Sequence, residues 1–274
     1  PADYGSDTNL VIAGGLLFAM CQVIWRRIYV HSPQRTTKGR YLFFVQLLLV
    51  FVSMYIVYDT EQSLAERKGL PRCNQLISWT IGAISLVAPL FSPTFFKMRM
   101  QSIIMAFACP FILLSVNYEV LFFAALDVLT VLWARREVSV REAANSASGN
   151  ARVCRQYRTV DGVDFSTALL FIFFINVGFF GTGNLATIAS FELKSVYRFI
   201  TVFSPFVMTA ILILKLMTPL LISTVSFSAI LRVTKTPQVA VFCLVVALFD
   251  IMTINFFFLV RDTGSWLEIG NSIS

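Results

Sequence analysis

Eight runs of apolar residues, at about 10–25, 41–58, 76–96, 102–117, 120–133, 166–180, 202–231 and 239–260, take up most of the chain. They decide the solvent before anything else. Runs of roughly 20 apolar residues match the hydrocarbon thickness of a bilayer, and a backbone in lipid must satisfy its own hydrogen bonds, so each run is expected to be a helix. Composition agrees, with 57% hydrophobic and 14% charged residues and 27 Phe in 274, where soluble domains carry about 25% charged residues. The expected fold is an all-α polytopic membrane protein, a bundle of about eight transmembrane helices.

Two runs strain that scheme. The fourth and fifth are separated only by Asn117, Tyr118 and Glu119, which suits a tight helical hairpin. The seventh has 30 residues and would reach roughly 45 Å as a helix against a core of about 30 Å. Part of it is expected to tilt, break or lie outside. Pro205 and Pro219 are the natural break points, because proline lacks the backbone donor and clashes with the preceding turn.

The formal net charge is +7, but the basic residues lie between apolar runs rather than in a patch beside aromatics, which argues against nucleic acid as a partner. They read instead as topology signals. Lys and Arg number 15 in the loops 26–40, 97–102, 134–165 and 232–238, against 6 in the alternate set. The first set is expected to be cytoplasmic, placing the amino terminus, the 59–75 loop, the 181–201 segment and the carboxyl end in the lumen or outside. All four tryptophans lie near expected run ends or in a flanking loop, where the head-group level suits them. Residues 134–165, polar and rich in Ser, Ala, Asn and Arg, read as a flexible cytoplasmic loop. Pro1 in place of a starting Met, with no signal segment before the first run, makes residues 1–274 read as the transmembrane fragment of a longer protein.

Ligands for catalysis are sparse. His31 is the single histidine, and metal chemistry needs several ligands converging on one point. No phosphate-binding G-x-x-x-x-G-K-[ST] motif is present. The five cysteines are scattered without C-x-x-C spacing, which favours packing over zinc or disulfides. Asp127, Lys215 and Asp250 are buried-charge candidates inside apolar runs, where ionisable groups are costly and hint at function. Lys215 and Asp250 are expected to pair. The alternative is a solute transporter or channel using all three as a midplane pathway.

The stretch "INVGFFGTGNLATIASFELKSVYRF", residues 175–199, joins an apolar run to glycines and a charged amphipathic tail. Glycine permits tight turns and close approach of backbone donors to phosphate. Gly181, Thr182, Gly183, Asn184, Lys194 and Arg198 are therefore candidate substrate-binding residues. In the plainer reading, the glycines end a helix, and an interfacial helix follows. Glu192, Lys194 and Arg198 then face water, while Ile188, Phe191, Val196 and Phe199 dip into the interface.

"FFGTGNLATIASFELKSVYRFITVFSPF" (179–206) and "DIMTINFFFLVRDTGSWLEIGNSIS" (250–274) closely resemble the carboxyl-terminal membrane region of the GPI ethanolamine phosphate transferases, of the type acting on the first mannose. The resemblance implies an endoplasmic reticulum enzyme that moves phosphoethanolamine from phosphatidylethanolamine to the GPI precursor. It also implies a luminal catalytic domain, absent from this chain, that uses a threonine nucleophile and two divalent metals, zinc being the expected ion. No catalytic residue and no metal ligand is then expected here. The implied partners are membrane lipids, both lipid substrates and the protein's own catalytic domain.

Overall fold

The computed structural model describes residues 8–29, 37–66, 68, 72–147, 162–182, 196–233 and 236–259. Among these residues there is no strand, and eight long helices carry the fold: α1 (Thr8–Tyr29), α2 (Thr37–Ala65), α3 (Arg72–Val87), α4 (Phe96–Leu114), α5 (Glu119–Ala147), α6 (Gly162–Gly181), α7 (Pro205–Val233) and α8 (Gln238–Leu259). A short 3₁₀ turn, Ala88–Phe91, extends α3. Seven of the eight are long and apolar enough to cross a membrane. The exception, α5, has the length but carries Glu119, Asp127, Arg135, Arg136 and Glu137.

The polar residues of α5 are tolerated because α4 and α5 form the middle of the bundle. α4 packs on α2, α3 and α7, and α5 packs on α1, α6 and α7. Ile104, Met105, Ala106, Ala108, Cys109 and Phe111 of α4 are fully buried. Phe111 stacks on Phe123 of α5 with ring centroids 4.6 Å apart. A second core joins α5 to α6, α7 and α8, where Trp133 stacks on Phe174 at 5.0 Å and Phe171 on Phe227 at 4.1 Å. Close approach of α1 and α5 depends on Gly14, since a Cβ there would lie 2.6 Å from the Leu121 nitrogen. The outer surface is apolar too, with Phe44, Leu48, Tyr55, Phe206, Phe242, Phe256 and Phe257 exposed, as lipid requires.

Several expectations change. The fourth and fifth runs do form a tight hairpin, with residues 115–118 between the helices. The polar segment from 134 is helical as far as Ala147, and α6 already begins at Gly162; residues 148–161 lie outside the described residues. The stacked contacts of Trp133 with α6 and α7 carry the helix past the end of its apolar run. Pro205 begins α7 and Pro219 lies inside it without ending it. A first-turn proline loses no helical hydrogen bond, and an interior one is tolerated where neighbouring helices support the segment. Here the Gly178 position of α6 lies against Pro219. Trp25 and Trp133 are buried between helices, Trp79 of α3 is exposed, and Trp266 lies outside the described residues.

Candidate functional site

The most elaborate polar construction lies where α2, α4 and α6 end and α5 and α7 begin. Short contacts tie this end together. Asn74 of α3 donates to Asp59 of α2 at 2.6 Å, and the Trp79 indole N–H donates to the Phe199 carbonyl at 2.9 Å. Val196 and Phe199, in the turn before α7, are buried, so that turn is seated in the bundle.

Arg198 anchors it. Its Nη1 donates to the carbonyls of Leu113 at 2.8 Å and Ser115 at 2.7 Å, and its Nη2 meets a Glu61 carboxylate oxygen of α2 at 3.2 Å. The last carbonyls of a helix have no partner within it, and a cation there also suits the negative end of the helix dipole. Arg198 thus caps α4 and ties it to α2 and the turn before α7. Burial pushes its guanidinium below the ordinary arginine range, and the charges of Glu61 and Glu119 oppose that shift. At 2% exposure it does not face water as an interfacial helix would require.

Beneath Arg198 lies a closed ion pair. The Lys215 ammonium of α7 sits 2.8 Å from each carboxylate oxygen of Glu119, and Glu119 also accepts from the Val116 N–H at 3.4 Å. Lys215 is ten residues into α7, about 15 Å along its axis, so the α4–α5 turn is recessed. The expected Lys215–Asp250 pair does not form. Asp250 is exposed in the stretch of α8 from Phe249 to Phe258, where every residue is exposed; the helix contacts the bundle through its first half, where Val241 and Val245 are buried.

Asp127 belongs to a separate polar group. Its Oδ2 accepts from Gln22 Nε2 of α1 at 2.7 Å, and Gln101 Nε2 of α4 donates to the Gln22 carbonyl at 2.8 Å. A chain of amides therefore links α1, α4 and α5, holding the carboxylate at 1% exposure. Asp127, Lys215 and Asp250 do not line one path.

Among the glycine-rich candidates, Gly181 and Thr182 are described. Gly181 ends α6 and lies so close to the Phe122 ring of α5 that a Cβ would overlap it. Thr182 is buried, its hydroxyl donating to the Gly178 carbonyl at 2.7 Å. Gly181 is engaged in packing α6 against α5, and Thr182 closes the end of α6 on itself. Gly183, Asn184 and Lys194 lie outside the described residues, as does His31. Sequence reasoning missed Glu61, Glu119, Gln22 and Gln101. Glu119 had a signal: it is a carboxylate between two apolar runs in a chain with a lysine inside a third. Among the described residues, no group of three or more His, Cys, Asp and Glu side chains could hold a metal, so no metal chemistry is assigned to them.

One open groove of about 260 Å³ lies between α1 and α2, lined by Ile12, Leu16, Phe51, Met54, Tyr55 and Tyr58. Its lining is apolar apart from the two hydroxyls, which suits hydrocarbon.

The chain is 40% identical over 278 residues to GPI ethanolamine phosphate transferase 1 of Mus musculus, and the match covers 98% of this chain and 30% of that protein. It is 38% identical to the Homo sapiens protein of the same name, with the same coverage. With the Aspergillus fumigatus protein of that name it shares 35% identity, covering 89% of this chain and 26% of the relative. It therefore spans about a third or less of their length. No solved structure matches it. The family model described as phosphatidylinositolglycan class N matches residues 1–265, nearly the whole helical bundle, and the chain belongs to that family.

Proposed function

We infer that this chain is the carboxyl-terminal membrane portion of an endoplasmic reticulum enzyme that transfers phosphoethanolamine from phosphatidylethanolamine to the first mannose of the GPI glycolipid. Its part is to anchor a luminal catalytic domain and to present the two lipid substrates to it. The observation that carries this reading is the near-complete match to a minor share of proteins named GPI ethanolamine phosphate transferase 1, in a chain with seven helices long and apolar enough to cross a membrane. The two-metal chemistry expected for the reaction would draw its ligands from the catalytic domain. The groove between α1 and α2 offers a place for an acyl chain, while the end of the bundle carrying Arg198 lies on the side that charge asymmetry assigns to the lumen.

The transporter alternative needs convergent charges. It loses support because Lys215 is closed off by Glu119 while Asp250 points outward from α8. The decisive experiment compares the full-length enzyme, a variant lacking residues 1–274 and the isolated fragment in cells without this transferase. Mass spectrometry of the GPI intermediates is the readout. Phosphoethanolamine should appear on the first mannose only with the full-length enzyme. Transfer by the isolated fragment, or full transfer without it, would overturn the reading.

A further inference from the structure

The helix α8 is the least covered in the bundle: 11% of its apolar stretch is buried, against 78% for α4. It rests on α6 through Val241 and Val245. Asp250 is nine residues beyond Val241, which at 3.6 residues per turn places it about half a turn round, on the opposite face. It lies near the middle of a 22-residue helix, is exposed, and among the described residues makes no hydrogen bond or ion pair. A carboxylate facing hydrocarbon at mid-depth is unfavourable and is normally turned toward protein.

The surrounding face is shaped for protein. Cys243 and Ala247, seven and three residues before Asp250, and Thr253 and Ile254 beyond it, share the side of the helix that carries Asp250 and are exposed, as is every residue from Phe249 to Phe258. Small side chains at such spacing let a second helix come close, and a polar group among them fixes its register. Lipid needs neither feature. The matched region is 30% of the length of the Mus musculus relative, so most of such a polypeptide lies outside it and can supply a neighbour.

We propose that the Cys243, Ala247, Asp250 and Ile254 face of α8 docks a further transmembrane helix from the part of the full-length polypeptide outside residues 1–274, and that this helix brings a lysine or arginine to Asp250 at mid-depth. The complement is chosen by charge: an ammonium or guanidinium both neutralises the carboxylate and donates to it. The inference does not depend on the substrate proposed above; it rests on the exposed carboxylate, the small side chains beside it and the length of the relatives outside the matched region.

The test uses the full-length protein in membranes, with a photo-reactive amino acid at Ala247 or Ile254 and peptide mapping of the adducts. Adducts should join α8 to a peptide of the same polypeptide outside residues 1–274. Adducts only to lipid, to a second copy or to another protein would overturn the proposal. Asp250→Asn and Asp250→Leu provide an independent readout with opposite signs for the two possibilities. If a cation faces Asp250, both variants leave it unpaired and lower the thermal midpoint by several degrees. If lipid faces it, removing the charge leaves the midpoint unchanged or raises it, and the proposal fails.

Discussion

Lys215 and Glu119 meet at 2.8 Å between the middle of α7 and the first residue of α5, 96 residues apart in the chain. Their contact neutralises the only charge in the apolar run of α7 and fixes the depth at which the α4–α5 turn sits. Removing one partner alone leaves the other buried and uncompensated, a loss of about 3–5 kcal/mol, whereas replacing both by groups of similar shape is close to neutral. Glu119→Gln and Lys215→Met should each sharply lower the thermal midpoint of the purified protein, and the double variant should recover most of it. Additive losses in the double-mutant cycle would contradict the pairing.

Arg198 is expected to act as a clamp. Arg198→Ala removes the donors serving the Leu113 carbonyl of α4, the Ser115 carbonyl just after it and Glu61, and should cost about 1.5–3 kcal/mol or more, the worth of a charge-assisted hydrogen bond. Loss of the clamp should also uncover the turn beneath it. A cysteine at Ser115, which is fully buried, should react with a water-soluble maleimide in the Arg198→Ala background and stay protected when Arg198 is present. Equal reactivity in both backgrounds would show that Arg198 does not hold the turn closed.

Gly181 separates packing from substrate contact. Gly181→Val drives a branched side chain into the Phe122 ring, and overpacking of this kind costs about 1–3 kcal/mol. If packing is the whole role, Gly181→Val lowers both stability and transferase activity, and Phe122→Ala in the same chain restores both. If the glycine also admits phosphate, the second change restores stability while activity stays low.

Sidedness follows from the distribution of Lys and Arg. In the full-length protein with its native cysteines replaced, cysteines introduced at Ser148 and Asn184 should label from opposite faces, with Ser148 cytoplasmic and Asn184 luminal. Labelling from one face would mean that α6, which connects them, does not cross.

The helices were legible because a lipid environment makes length and apolarity sufficient clues: the hairpin break at Asn117, Tyr118 and Glu119 falls where α4 gives way to α5. Ends and faces were not. An apolar run says nothing about how far a helix continues past it, so the extension of α5 to Ala147 depends on neighbours that only the fold supplies. Faces are hidden for a related reason, since a helix apolar on all sides carries no stripe. Asp250 and Lys215 sit on adjacent helices in sequence, yet α8 contacts the bundle through its first half and Asp250 lies beyond it. The pairing of Lys215 with Glu119 is set by the packing of α4, α5 and α7. For Gly181 and Arg198 sequence alone offered phosphate contact and interfacial exposure, where the structure has Gly181 packed against Phe122 and Arg198 capping α4.

The contrast between α4 and α8 bears on how such a protein is made. α8 has the highest mean hydropathy of the seven candidate spans, 2.3, and the least burial, while α4 has 1.3 and the most. Gln101 of α4 donates to the Gln22 carbonyl of α1 and the Ser102 carbonyl accepts from Gln46 of α2, while the Leu113 carbonyl at the end of α4 is met by Arg198, 85 residues downstream. Synthesis from the amino terminus therefore makes α4 before the side chain that caps it, and a chain ending before Arg198 would leave the Leu113 and Ser115 carbonyls without that partner.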